Sequence, residues 1–273
     1  MSAVKEMKKQ TVDAVFDTSV IRRTVTGQYR VALIGCGGSG SAMLVKLARI
    51  DRALREVGGT RLDVTVWDGD DVSPTNIVRQ PFTEREVGLP KASTLVTRVN
   101  RTFGTSYKAI CRHISRKDRL EDAMIVSCVD SREARKTIVE CKKLSFGTQA
   151  WIDLGNGDTY GNFVMGTIGE RRPREGAATN TPDGTPIVRS LPCANELWPE
   201  IVDPSLDEDS GPTCSSREAL ESQDLFINET VATHAANLIW RSFRQQYIKV
   251  HGGFVNLLTS AVRGIRVKAV EAQ

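Results

Sequence analysis

Residues 31–40 read VALIGCGGSG, a short apolar run that leads directly into a cluster of glycines. The run Val31–Ile34 predicts a buried parallel strand, and Ser41–Ile50 predicts a helix that begins where the glycines end. Glycines between a strand and a helix let the backbone approach a phosphate, and the first helical turn directs free N–H groups at the anion. The pattern alone fits dinucleotide enzymes as well as ATP enzymes. The candidate phosphate-binding residues are Gly35, Gly37, Gly38 and Gly40.

A second strand is predicted by the alternating run Leu62–Trp67, which ends at an acidic residue. An acid at the carboxyl end of the second strand can hold ribose hydroxyls in any nucleotide fold of this kind. The chain then reads DGDDVSPTNIVRQ from 68 to 80, so that an amide and an arginine follow within a dozen residues. A dinucleotide site does not require them. The candidate binding residues in this run are Asp68, Asp70, Asn76, Arg79 and Gln80.

The glycine loop, the run 68–80 and the segment Val87–Ala92 together resemble the ThiF/MoeB/ubiquitin-activating (E1-like) adenylating family. The nearest resemblance is to the ThiF-family proteins of bacterial PRTRC systems, and it covers residues 30–268. It implies ATP and Mg²⁺ as cofactors and a homodimer. It also implies that an arginine ahead of the first strand, Arg22 or Arg23, can reach the partner subunit's site.

The order of predicted elements gives an α/β fold. Strands and helices alternate as far as Lys143, which predicts a right-handed, mostly parallel Rossmann-like sheet with helices on both faces, continued by antiparallel strands. Further strands are predicted at 107–111, 124–129, 146–154 and 162–168, a hairpin at 252–267, and helices at 84–100, 119–123, 131–143 and 215–247. We predict an N-terminal arm (1–29) and a single ThiF-type adenylation domain (30–273). Its crossover loop, 170–213, carries seven of the ten prolines.

The composition excludes several classes of protein. The 37 basic and 33 acidic side chains nearly balance, and no basic patch is interleaved with aromatic residues, so nucleic acid is not an expected partner. No apolar stretch approaches the length of a membrane span, and residues 1–30 contain no signal-peptide core. We therefore expect a cytoplasmic protein with reduced cysteines. Several members of the resembled family carry a structural zinc, but this chain has no Cys-x-x-Cys pair.

Activating a carboxylate with ATP requires that it be placed in line with the α-phosphate while the triphosphate charge is neutralised. The resemblance assigns the metal to Asp130, which follows the strand 124–129. The family usually has Asn after this aspartate, whereas this chain has Ser131, which can still cap the following helix. The resemblance also makes Arg79 and Lys91 the phosphate-binding pair. It implies three further roles: ribose binding by Asp68, a phosphate or metal contact by Asn76, and support of the loop by Gln80.

A thiol would be needed for a second step. Many ubiquitin-activating relatives transfer the adenylated carboxyl group to a cysteine of the crossover loop. Cys214 precedes a capping box formed by Ser215 and Glu218, where the helix dipole favours a thiolate. Cys193 is the alternative nucleophile. The remaining cysteines are expected to be core residues: Cys36, Cys111, Cys128 and Cys141.

We interpret the chain as an ATP-dependent enzyme that adenylates the C-terminal carboxyl group of a small ubiquitin-like (β-grasp) protein ending in Gly. A thioester on Cys214 and transfer to a conjugating enzyme would follow. Three alternatives remain open. A sulfur-carrier protein adenylyltransferase would differ mainly in what attacks the adenylate. An NAD-dependent oxidoreductase would use the glycine loop but leave Arg79, Lys91 and Asp130 without a role, and a non-catalytic scaffold would keep the fold without turnover.

Overall fold

The computed structural model describes residues 11–21, 23–120, 123–144, 150–168, 177–207 and 223–270. Its strands are β1 (Thr11–Asp13), β2 (Val15–Asp17), β3 (Tyr29–Ile34), β4 (Leu62–Trp67), β5 (Lys108–Ile110), β6 (Ala123–Ser127), β7 (Ala150–Asn156), β8 (Tyr160–Thr167), β9 (Ile187–Val188), β10 (Tyr247–Ile248), β11 (Val250–Asn256), β12 (Ala261–Arg266) and β13 (Lys268–Val270). Its α-helices are α1 (Gly38–Gly58), α2 (Lys91–Phe103), α3 (Arg132–Leu144), α4 (Ala194–Leu197) and α5 (Ile227–Arg244).

The largest sheet in the described residues has eight strands in the order β12-β11-β8-β7-β6-β3-β4-β5. Five neighbouring strands of this sheet, β7, β6, β3, β4 and β5, are parallel to one another. The other neighbouring pairs, β7 with β8, β8 with β11 and β11 with β12, are antiparallel. Side chains alternate between the two faces, so that Val31 and Leu33 lie in one apolar cluster with α1, α2 and α5. Ala32 and Ile34 lie in a second cluster with α3 and α4. The predicted mixed α/β fold is therefore confirmed.

Several predicted boundaries differ from the structure. The helix predicted at 119–123 is wrong: Arg119 and Leu120 lie in a loop, and Ala123 begins β6, where it pairs with Arg30. Leu120 and Ala123 are both buried, which would also fit one face of a helix. Ala123 is buried, however, because it is part of the sheet. The helix predicted at 84–100 is interrupted by Gly88, whose φ is +85°, and α2 begins only at Lys91.

Predictions for the second half of the chain hold in part. The hairpin at 252–267 is confirmed as the antiparallel pair β11 and β12. The strand predicted at 146–154 continues two residues further, because β7 ends at Asn156. The helix predicted at 215–247 ends at Arg244, since Tyr247 already belongs to β10 and pairs with Asp17 of β2. Its predicted start lies outside the described residues.

The segment 11–21 packs against distant parts of the chain. β1 pairs with β13, and β2 lies between β9 and β10. The side chain of Phe16 is fully buried in the cluster that also contains α1 and α5. Arg22 lies outside the described residues, and the guanidinium of the exposed Arg23 lies 5.6 Å from the centre of the Tyr29 ring. None of the helices in the described ranges is long and apolar enough to span a membrane.

Candidate active site

One cleft opens at the carboxyl ends of β3, β4 and β6, with a volume of about 720 Å³. The carboxyl ends of parallel strands are where open α/β sheets bind ligands. Ten of the predicted site residues line this cleft: Gly35, Gly37, Gly38, Asp68, Asp70, Asn76, Arg79, Gln80, Lys91 and Asp130. Residues from five separate stretches of sequence are thus brought together, although their predicted roles remain predictions.

The glycines of the loop serve different purposes. Gly35 has φ +91°, and a Cβ on it would lie 2.6 Å from the backbone oxygen of Cys128. A Cβ on Gly40 would lie 1.9 Å from the backbone oxygen of Gly35, so this residue lets the helix approach the strand closely. At Gly37 the nearest atom to an added Cβ is the Nε2 atom of Gln80, at 4.0 Å. Gly37 therefore leaves space in the cleft, whereas Gly35 is needed for the turn and Gly40 for the close packing of α1 against that turn.

We expect Gly40→Ala to destabilise the fold because the new methyl group would overlap a backbone atom that cannot move aside. The cost should be about 1–3 kcal/mol or more in the free energy of unfolding, measured by denaturant titration. The matched control is Gly58→Ala in the same helix, where an added Cβ meets nothing within 4 Å. That variant should be neutral or slightly stabilising, because alanine favours the helix. Equal stability of the two variants would contradict the close approach at Gly40.

Asp68 joins the glycine loop to the end of β4. Its Oδ2 atom accepts the N–H of Cys36 at 2.5 Å, and its Oδ1 atom accepts the N–H of Asp70 at 2.9 Å. Burial raises the pKa of this carboxyl group, although the two backbone hydrogen bonds oppose the rise. Each carboxylate oxygen can accept a second hydrogen bond, so the geometry is compatible with ribose binding.

Lys91 is the first residue of α2 and its side chain is almost fully buried. Its Nζ atom lies 3.0 Å from the Oδ2 atom of Asp70, whose side chain is 54% exposed. The Nε2 atom of His113 lies 3.7 Å from the other oxygen of the same carboxylate. A triphosphate that binds Lys91 must therefore compete with Asp70 for the ammonium group.

Arg79 has a neutral partner instead. Its Nη1 atom donates a hydrogen bond of 2.7 Å to the Oε1 atom of Gln223, and burial lowers the pKa of the guanidinium. Its Nε atom and the Oε1 atom of Gln80 are buried without a hydrogen-bond partner in the described part of the chain. Asn76 uses its Oδ1 atom to accept the N–H of Ser73 at 2.9 Å. The unpaired Nε–H of Arg79 fits a phosphate oxygen, whereas the unpaired oxygen of Gln80 needs a donor from the ligand, such as a hydroxyl group.

Asp130 lies three residues beyond the end of β6 and is exposed. Within the described ranges its carboxylate makes no ion pair or hydrogen bond, and no cluster of three or more potential metal ligands occurs there. Mg²⁺ in ATP enzymes is commonly held by one or two carboxylates together with the phosphates, so a single free carboxylate fits this ion. The Oγ atom of Ser131 accepts the N–H of Ala134 at 3.2 Å, so the serine that replaces the family's usual Asn caps α3.

The described cysteines differ in their exposure to solvent. Cys214 and its predicted capping box lie outside the described residues. Cys193 is 1% exposed, and its Sγ–H donates to the backbone oxygen of Thr167 at 3.3 Å. Cys111 is predicted to lie in the core but is exposed, because β5 ends at Ile110 and the chain turns directly after it. Cys36 and Cys141 are buried as expected, and burial raises the pKa of Cys141 to about 11.

The cleft also contains residues that the sequence patterns did not indicate. They include His113, Thr137, Asn156, Gln223 and Asn228. Gln223 lies four residues before α5 and Asn228 is the second residue of that helix, and their partners Arg79 and Ser39 lie 144 and 189 positions away. No local pattern around residue 223 could have revealed these contacts.

Comparison with known proteins gives one family and one set of similar structures. The family model described as "ThiF family" matches residues 21–257. A crystal structure of E. coli MccB is 15% identical, has a TM-score of 0.57, and is matched over 89% of this chain and 64% of that chain. A crystal structure of PaaA is 17% identical, with a TM-score of 0.54, over 88% of this chain and 64% of that one.

A structure of E. coli MccB with ATP is 16% identical, with a TM-score of 0.55, over 89% of this chain and 67% of that chain. At this level of identity the likeness concerns the fold alone. The chain spans less than two thirds of the length of the MccB and PaaA chains first matched. No curated protein sequence matched it significantly.

Proposed function

Because the chain belongs to the ThiF family, we propose that it is an ATP-dependent adenylating enzyme that acts on the C-terminal carboxyl group of a small ubiquitin-like protein. The observation that carries the proposal is the single cleft that combines the glycine loop with Asp68, Arg79, Lys91 and Asp130. E. coli MccB has been solved with ATP and with AMPCPP together with MccA, which supports a site for a nucleotide and a second molecule in this fold.

In the proposed reaction a carboxylate oxygen of the partner attacks the α-phosphorus of ATP. The bond between that phosphorus and the oxygen bridging to the β-phosphate breaks, and pyrophosphate leaves with the electron pair. The products are an acyl-adenylate and pyrophosphate. Lys91 and Arg79 would neutralise the charge that develops on the phosphate oxygens, and Lys91 would exchange Asp70 for the phosphate.

The remaining residues would bind and orient the nucleotide. The backbone N–H groups at the start of α1 face the phosphates if the ligand enters the space left at Gly37. Asp68 would accept the ribose hydroxyls. Mg²⁺, held by Asp130, would supply charge neutralisation at the phosphates. The family further leads us to propose a homodimer in the cytoplasm and transfer of the product to a conjugating enzyme.

The direct test is ATP–pyrophosphate exchange with the full chain and a small β-grasp protein that ends in glycine. Exchange should require this partner and should be lost when its C-terminal carboxyl group is replaced by an amide. Exchange with the amidated partner would contradict attack by that carboxyl group. Binding of ATP without any exchange would favour a non-catalytic scaffold, and binding of NAD in place of ATP would favour an oxidoreductase.

A second experiment concerns the thiol step that we propose for Cys214. Cys214→Ala should retain pyrophosphate exchange but lose a reductant-sensitive covalent adduct with the partner protein, seen on a non-reducing gel. Cys193→Ala is the matched control and should keep the adduct, because Cys193 is buried and hydrogen-bonded in the fold. If the adduct is lost only in Cys193→Ala, the nucleophile is Cys193. If an active enzyme forms no adduct, the adenylate is passed directly to another acceptor, as in sulfur-carrier activation.

A further inference from the structure

A continuous chain of hydrogen bonds connects the glycine loop to Arg79. The Oγ–H of Ser39 donates to the Oδ1 atom of Asn228 at 2.9 Å, and the Nδ2 atom of Asn228 donates to the Oε1 atom of Gln223 at 2.8 Å. The same Oε1 atom accepts the Nη1 atom of Arg79 at 2.7 Å. The Nε2 atom of Gln223 donates to the backbone oxygen of Gly157 at 3.2 Å, so both ends of this carboxamide are fixed.

Gly38 packs against one of these hydrogen-bonded side chains. A Cβ on Gly38 would lie 2.5 Å from the side-chain carbon of Asn228, so the glycine makes room for the carboxamide. Asn228 is 7% exposed and is the second residue of α5. Beside it, Lys46 of α1 forms an ion pair of 2.7 Å with Glu229. The start of α5 is therefore held firmly against the start of α1.

The two cations of the cleft, Arg79 and Lys91, differ in the charge of their partners. Lys91 is paired with a carboxylate, whereas Arg79 is held by a carboxamide that carries no charge. A neutral acceptor fixes the direction of the guanidinium without cancelling its charge, so the charge stays available to an anion. A carboxylate in the same place would make a stronger, charge-assisted hydrogen bond and would neutralise the guanidinium.

We propose that Gln223 and Asn228 are positioning residues that fix the guanidinium of Arg79 relative to the glycine loop for phosphate binding. The proposal rests on the proposed adenylation of a partner with ATP and adds a role for Gln223, which precedes α5, and for Asn228 in the first turn of that helix. Gln223 acts through Arg79, and Asn228 acts through Gln223 and Ser39. Neither residue needs to touch the reacting atoms.

The test is a double-mutant cycle with Gln223→Ala, Arg79→Ala and the double variant. Two quantities are measured for each: the Kd for ATP with Mg²⁺ by calorimetry without partner, and kcat/KM for ATP in pyrophosphate exchange. Gln223→Ala alone should impair at least one of them by about ten-fold, the usual effect of losing a hydrogen bond to a charged group. In the Arg79→Ala background the same change should have an effect of about two-fold or less, because residues of one network are not additive.

Two further variants separate positioning from folding. Gln245→Ala is the matched control, because Gln245 also accepts a hydrogen bond from an arginine, Arg241, but outside the cleft. It should leave ATP binding and exchange unchanged. Gln223→Glu should fold with a melting temperature at least as high as that of the unchanged protein, yet bind ATP about ten-fold more weakly, because it neutralises Arg79.

The outcomes separate this proposal from the function on which it rests. If the unchanged protein binds no ATP, the proposed function fails and the positioning role fails with it. If the unchanged protein binds and exchanges ATP but Gln223→Ala does so equally well, only the positioning role is overturned. It is also overturned if Gln223→Ala has the same effect in the presence and in the absence of the Arg79 guanidinium. Gln223→Glu with unchanged ATP binding would likewise overturn it.

Discussion

Asp130→Ala should lower the rate of ATP–pyrophosphate exchange by at least about a hundred-fold, and the protein should remain folded. The carboxylate is exposed three residues beyond β6, so its removal takes away the ligand that we propose for the metal without taking away a structural contact in the described part of the chain. An exposed substitution of this kind changes the free energy of unfolding by about 0.5 kcal/mol or less. Exchange rate and melting temperature, measured on the same preparation, check both halves of the prediction.

Two variants sharpen this experiment. Asp130→Asn keeps the size of the side chain and removes its charge, and it should lose exchange nearly as completely. Glu56→Ala removes an exposed carboxylate from α1, outside the residues that line the cleft, and should change nothing. Near-normal exchange in a well-folded Asp130→Ala protein would remove this residue from the metal site.

Arg79→Ala and Lys91→Ala should each lower the rate of adenylation by roughly a hundred-fold, as expected when one charged contact to a transition state is lost. Lys91→Ala should have an additional effect, since it would leave the carboxylate of Asp70 beside the proposed phosphate site without the lysine that pairs with it. The loss should appear in turnover if the contact tightens at the pentavalent α-phosphorus, and in ATP affinity if it does not. Steady-state exchange kinetics and ATP titration distinguish the two cases.

The controls for these cations lie elsewhere on the surface. Lys108→Ala removes an exposed lysine whose Nζ atom lies 3.7 Å from Asp63, and Arg101→Ala removes an exposed arginine of α2. Neither residue lines the cleft, so both variants should keep normal exchange. Rates in Arg79→Ala and Lys91→Ala that match these controls would mean that the two cations take no part in adenylation.

Sequence reasoning succeeded where local pattern and tertiary structure agree. The strand Leu62–Trp67 was predicted with its observed bounds, because its alternating side chains match a strand with two different faces. The glycine loop was likewise recognisable, because its positions are constrained by nearby backbone. Ser131 was predicted to cap a helix and does so, which depends only on the next three residues.

Other features depend on partners far along the chain, and the sequence could not reveal them. Ala123 could extend a short helix or begin a strand, and only its pairing with Arg30 in β3 decides the matter. Cys111 was assigned to the core from its apolar neighbours, but the strand ends one residue earlier. Gln223 and Asn228 look like ordinary polar residues before and within a helix, and their meaning comes from Arg79 and the glycine loop.

The pairing of β1 with β13 and of β2 with β9 and β10 has a consequence for biosynthesis. When the ribosome has made residues 11–17, the strands that will accept their backbone hydrogen bonds do not yet exist. The apolar side chain of Phe16 must stay out of the core, exposed to chaperones and to other nascent chains, until residues 247 and 248 have emerged. Folding of this chain is therefore expected to finish after translation, with residues 11–17 among the last to gain protection from hydrogen exchange. A ribosome-bound chain stalled before residue 247 should remain sensitive to proteolysis near Phe16.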